Sequence, residues 1–222
     1  MMRRQILAVT TVVVLAGASE AGAQARPAAA TTEDHGYIEA VGQSAFGNVT
    51  SQSYGVEAGA TVAPNLQVFG ELGNIRNVAT PEISLAAQTI ATALTLVQPA
   101  AVTFTVKQPV LFFGGGVKFL IPLEQSKVRP YVLGGFGVAR VENQVAFQFG
   151  GTDASSSLAQ YVTIGSDLSG DVTKPMLTLG GGVVWPAWQR LILDFNYRFG
   201  RIFTDTQGTS VSRAGLGVGV RF

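Results

Sequence analysis

The last ten residues of the chain, Arg213 to Phe222, alternate strictly. Ala214, Leu216, Val218, Val220 and Phe222 fall on one face; Arg213, Gly215, Gly217, Gly219 and Arg221 fall on the other. A period of two over this length predicts a β-strand with two chemically opposite faces. The pattern recurs upstream. Tyr54, Val56, Ala58, Ala60 and Val62 oppose Gly55, Glu57, Gly59 and Thr61. Leu111, Phe113, Val117 and Phe119 oppose Gly114, Gly116 and Lys118. Leu177, Leu179, Val183 and Trp185 oppose Thr178, Gly180 and Gly182, and Leu191, Leu193, Phe195, Tyr197 and Phe199 oppose Asp194, Asn196, Arg198 and Gly200.

Eight strands follow: Gly36–Phe46, Ser53–Val62, Leu66–Arg76, Thr105–Ile121, Val128–Glu142, Lys174–Trp185, Gln189–Phe203 and Thr209–Phe222. The first and fifth are less regular, and Leu133-Gly134-Gly135-Phe136 assigns no face. The connections alternate in kind. Ala63-Pro64-Asn65, Pro122 to Lys127 and Pro186-Ala187-Trp188 are short, proline-containing turns. Segments 77–104 and 143–173 are long, and 47–52 and 204–208 intermediate. Tight and long connections in strict alternation are what an up-and-down barrel gives, with both termini on the tight-turn side.

Composition selects the medium. The chain is 47% hydrophobic and 13% charged, with mean hydropathy +0.31. A soluble domain has about a quarter of its residues charged. Yet beyond the N-terminus no apolar run approaches the ~18 residues of a spanning helix. In lipid, only helices and closed barrels satisfy their backbone. A soluble sandwich would show Lys and Glu on its polar faces; here those faces carry Gly, Thr, Asn and isolated charges, and the chain has 27 glycines. Phe119, Tyr131, Trp185, Trp188 and Phe222 gather near the tight turns, where an interfacial girdle is expected. The predicted fold is all-β: an eight-stranded antiparallel up-and-down transmembrane β-barrel over residues 36–222.

The N-terminus predicts export. Arg3 and Arg4 precede an apolar stretch of 13 residues, Ile6–Ala18, and the small-residue site Ala21-Gly22-Ala23. This reads as a cleavable signal peptide, residues 1–23, with a cut after Ala25 as the alternative. Residues 24–35 are then a flexible periplasmic lead. Cleavage removes Arg3, Arg4 and Glu20, so the 15 basic and 14 acidic residues become balanced. That gives no attraction for nucleic acid. With no cysteine, disulfides, thiolate metal sites, cysteine nucleophiles and a cysteine lipid anchor are all excluded.

The inward faces hold Glu57, Glu71, Lys118, Asp194, Arg198, Arg213 and Arg221, with Glu39 and Arg140 expected beside them. An eight-stranded barrel has an interior just filled by side chains, so buried charges there must pair. The main reading is a structural salt-bridge network; the others are the lining of a narrow polar pore and an acid–base pair. The only histidine, His35, precedes the first strand on the tight-turn side, far from an outer-leaflet lipid. A serine activated by histidine is therefore not expected, and neither catalysis nor any cofactor or metal is predicted. Gly114-Gly115-Gly116 and Gly180-Gly181-Gly182 lie within strands and lack the Lys-Ser/Thr of a phosphate loop.

In segment 77–104, Ile83, Ala86, Ala87, Ile90, Ala93, Leu94 and Val97 recur at helical spacing, and Glu82 is the one charge. An amphipathic helix folded over the barrel mouth is one reading; a surface for membrane, hydrophobic ligand or another protein is the other. Segment 143–173 is polar, with Asp153, Asp167 and Asp171 too scattered for a calcium site. Val145–Phe149 and Gln160–Ile164 are candidate strand extensions beyond the membrane.

The sequence resembles the small eight-stranded outer-membrane barrels of Gram-negative bacteria, the group of the OmpA transmembrane domain, OmpX, OmpW and opacity-type proteins. Three stretches carry the resemblance: Val128-Arg129-Pro130-Tyr131, Asp194-Phe195-Asn196-Tyr197-Arg198-Phe199 and Gly217-Val218-Gly219-Val220-Arg221-Phe222. The last looks like the signal read by the barrel-assembly machinery, through Gly217, Val220 and Phe222. It departs from that pattern at Gly215, where a polar residue is usual. The resemblance implies outer-membrane localisation, outer-membrane lipid as the surrounding partner, and no catalytic residues. The expected function is structural or surface-interacting, through loops 77–104 and 143–173, with an extracellular protein or hydrophobic ligand as partner at 77–104. A narrow passive channel for small or hydrophobic compounds is the alternative, and a lipid A-modifying enzyme is a more distant one.

Overall fold

A computed structural model describes residues 35–96, 101–153, 169–203 and 208–222. The expected leader, nearly all of the lead that follows it, and the extension at 160–164 lie outside the described residues. Eleven elements follow in order: β1 (Gly36–Phe46), β2 (Ser51–Ala63), β3 (Leu66–Ile75), α1 (Pro81–Thr95), β4 (Val102–Lys107), β5 (Val110–Leu120), β6 (Arg129–Phe149), β7 (Thr152–Asp153), β8 (Ser169–Pro186), β9 (Leu191–Ile202) and β10 (Thr209–Arg221).

Eight of these strands close into a ring in the order β1-β2-β3-β5-β6-β8-β9-β10, every neighbour antiparallel. The first and last strands close it, from Tyr37↔Arg221 to Phe46↔Ser212. Beyond them, the His35 and Gly36 N–H groups donate to the Phe222 carbonyl at 2.7 and 3.0 Å, so the lead is tied to the ladder by His35. The fold is an eight-stranded up-and-down β-barrel, and closure leaves the ring without a free edge. β4 and β7 lie off the ring, both paired to β6.

The alternation becomes an inside and an outside. Outward side chains form an apolar belt, with Ile38, Tyr54, Leu72, Phe113, Val132, Phe136, Leu179, Phe195 and Leu216 each about half exposed or more. Such a surface on a closed barrel is matched by lipid, not water. Near the tight-turn rim, Phe119, Trp185, Trp188 and Phe222 are also exposed. Tyr131, expected in that girdle, instead points inward and is 2% exposed. It shares the parity of Leu133, which is also buried, whereas Phe136 faces out at 73%. That settles the face of the ambiguous β6 stretch.

Above the ring, the expected fourth strand is interrupted at Gln108-Pro109, because Pro109 has no N–H for the ladder. Both halves still pair with β6 in one register, Lys107↔Gln144 and Val110↔Val141. β4, the extension of β6 and the start of β8 thus form a ribbon beyond the barrel. α1 is the expected helix. Pro81 begins it, Glu82 sits in its first turn, and Ile83, Ala87, Ala91 and Leu94 form its buried stripe. That stripe packs on Val106, Val145, Phe147 and Phe149, the ribbon face continuous with the barrel interior. Ala79 and Ile83 also gather with Val49 of the β1–β2 connection, several strands round the ring. Asn77 Oδ1 accepts from the Ala79 and Gln108 N–H groups, and Gln108 Oε1 accepts from the Thr80 N–H at 2.7 Å, fixing the entry to α1.

Candidate functional site: the barrel interior

Register places three acids side by side. Glu39 on β1 is the Cα partner of Glu57 on β2, which is the partner of Glu71 on β3. Likewise Arg213 on β10 is the partner of Arg198 on β9. Like charges directly opposite are destabilising in a sheet. At about 5 Å with an effective dielectric of about 20, each such pair would repel by about 3 kcal/mol. The barrel resolves both rows by facing them across the lumen. Arg198 Nη2 lies 2.6 Å from Glu57 Oε2, and its Nη1 lies 2.8 Å from Glu71 Oε1. Arg213 Nη1 donates to the same Glu71 oxygen at 3.0 Å. Lys118 Nζ donates to Glu57 Oε1 at 2.5 Å, between the rings of Tyr37 and Tyr131 at 4.4 and 4.6 Å. The Tyr37 hydroxyl donates to Glu57 Oε1 at 2.6 Å, and the Tyr131 hydroxyl to Asp194 Oδ2 at 2.7 Å. Arg198, Arg213 and Asp194 are fully buried.

Satisfaction is incomplete. The Arg198 contacts are close ion pairs whose N–H directions are not aligned as hydrogen bonds, and Glu39 Oε1, Asp194 Oδ1 and Arg213 Nη2 accept or donate none. Glycine makes the layer fit. A Cβ at Gly59 would fall inside the contact distance of the Tyr37 ring, and one at Gly182 would meet the Tyr131 hydroxyl.

Of the two remaining expected inward charges, Arg140 is outside and Arg221 lines the mouth of the lumen. Arg140 has the parity of Phe136 and lies on the outer surface, 2.8 Å from Asp171, with 60% of its side chain exposed. Arg221 sits at the tight-turn rim and donates to the Gln189 carbonyl at 3.1 Å. Gly217 is inward, beside Glu39 and Asp194. Val220 and Phe222 face outward. Among the described residues, no cluster of three or more His, Asp or Glu side chains is arranged to hold a metal ion.

A second layer has no charge or polar row to announce it in the sequence. Towards the loop rim, Ala45, Ile75, Val110, Phe112, Ala139, Val141, Met176, Ile202 and Val211 pack with Val78 inside the barrel. Seven of the eight ring strands contribute; β2 supplies Ser53 at this height, opposite Ile75. The Phe112 ring joins the layers, 4.4 Å from the Arg213 guanidinium carbon.

No protein family matches the chain by sequence, and no curated protein matches it. Solved structures do match. Neisserial surface protein A covers 85% of this chain and 97% of its own, with a TM-score of 0.54 and 16% identity. A major outer membrane protein from Thermus thermophilus covers 84% and 99%, with 0.51 and 12%. The attachment invasion locus protein of Yersinia pestis covers 86% and 100%, at 0.48 and 15%. The first two show that the barrel fold is shared with small outer-membrane proteins.

Proposed function

We propose that this chain is a non-enzymatic outer-membrane β-barrel, exported behind residues 1–23, whose task is carried by its outward loop rim. The observation behind this reading is the distribution of material. The lumen is filled twice, by a charged layer and an apolar one. The structure beyond the ring, α1 and the ribbon, gathers at one rim. A filled lumen suits a platform better than a conduit. The exposed side of α1 includes Leu85 at 62% and carries Glu82 as its one charge, which suits a protein or hydrophobic partner. That the fold serves a protein named for the Neisserial surface supports display at the cell exterior. His35 at the tight-turn rim supports the non-enzymatic reading, as does a charge network shut off from lipid. Kinship with OmpA-, OmpX-, OmpW- or opacity-type proteins is a finer proposal resting on the three stretches quoted above.

The test is reconstitution in a planar bilayer, where the wild-type chain should show no stable unitary conductance. Reproducible openings would select the passive-channel reading. Replacing residues 83–97 should abolish partner binding at the surface without changing solute uptake. A change in uptake would favour transport.

A further inference from the structure

The two ends of the lumen differ in access. At the tight-turn rim a cavity of about 40 Å³ is lined by Tyr37, Glu39, Gln67, Lys118, Ile192 and Arg221, among others. It therefore reaches the charged layer. Glu39 is 2% exposed and its Oε1 has no hydrogen-bond donor; Arg198 Nη2 lies 4.0 Å from it. A buried carboxylate oxygen left without a donor is costly. A cavity of this size holds about two or three waters, and with Glu39, Gln67 and Lys118 in its wall one of them can supply that donor. At the other end, among the described residues, the layer is apolar except for the Ser53 hydroxyl, and side chains from seven strands close it.

We propose that the tight-turn rim carries a one-ended aqueous vestibule that admits water and small ions as far as Glu39 and Lys118. The apolar layer around Ile75, Val110, Phe112, Met176 and Ile202 is the septum that stops them. This rests on the membrane-barrel reading above and assigns closure to a particular layer: not to the salt bridges, and not to α1.

The chain has no cysteine, so single reporters are clean. Ile192→Cys lines the vestibule; Val110→Cys lies in the septum. In nanodiscs, with folding checked by heat-modifiable gel mobility, Ag⁺ should consume the Ile192→Cys thiol at least about tenfold faster than the Val110→Cys thiol. Equal protection of both overturns the vestibule. In planar bilayers, replacing residues 81–95 by a Gly-Ser linker should leave the barrel silent. Adding Phe112→Ala and Ile202→Ala to that variant should produce unitary conductance steps. Conductance with the linker alone would make α1 the seal, and silence of the combined variant would deny the septum; either overturns the assignment. Conductance by the wild-type chain would instead sink the closed-platform reading, and the cysteine contrast would still judge the vestibule.

Discussion

The same eight strands fill the lumen with two layers of opposite chemistry. In the charged layer, Arg198 is held by Glu57 and Glu71, and each of those acids serves a second cation. Every member depends on its partners, because a lone charge at this depth is unsolvated. In the apolar layer, Ile75, Val110 and Ile202 are fully buried with no polar atom to satisfy. Loss there scales with volume removed. Both layers occupy the lumen, but only the charged one can turn a single substitution into an uncompensated ion. The apolar layer's failures are graded.

That contrast is sharpest at Arg198. Arg198→Met should cost about 3–5 kcal/mol, because Glu57 and Glu71 lose their shared counter-ion. Urea unfolding from lipid vesicles measures it, and adding Glu57→Gln should recover part of the loss. A single variant as stable as wild type would mean the layer is not a cooperative network. Next, Phe112→Ala should cost about 3 kcal/mol by the same assay, through the cavity it leaves and the ring lost beneath Arg213. Little change would show that the apolar layer collapses around the gap. Gly59→Ala should destabilise by about 1–3 kcal/mol, since its methyl displaces the Tyr37 ring from Glu57. A neutral result there would show room that the packing does not suggest. Smallest is Arg140→Ala: the Arg140–Asp171 pair is exposed, so the loss should be below about 1 kcal/mol and vanish in high salt. A larger, salt-insensitive loss would put Arg140 in a tighter role than its position indicates.

These residues differ in how plainly the sequence announces them. Where one face is apolar and the other small or charged, as in β2, β8, β9 and β10, parity alone assigns the inside. α1 is legible for the same reason at its own period. Legibility fails where polarity stops alternating. Val110-Leu111-Phe112-Phe113 is apolar on both faces, so its inward half, Val110 and Phe112, shows only through the parity of Gly114, Gly116 and Lys118 further along the strand, and nothing marks it as part of a septum. Gly134 and Gly135 carry no polarity at all, and with no guide from them Tyr131 reads as girdle and Arg140 as lumen. The parity of Tyr131 with Leu133, Ala139 and Val141, opposite Phe136 and Arg140, is the signal that corrects both.

The sequence by itself determined a barrel of eight strands, its tight and long rims and the identity of most of the buried ions, and it showed the helical period of the third connection. Each follows from local periodicity, turn chemistry or side-chain polarity, which a linear chain displays. The tertiary structure alone decided which charges meet and which layer closes the lumen. Glu57 and Glu71 lie on consecutive strands, but the arginines that pair with them arrive from β9 and β10, far along the chain. Pairing across a closed ring depends on shear and register, which no local pattern encodes.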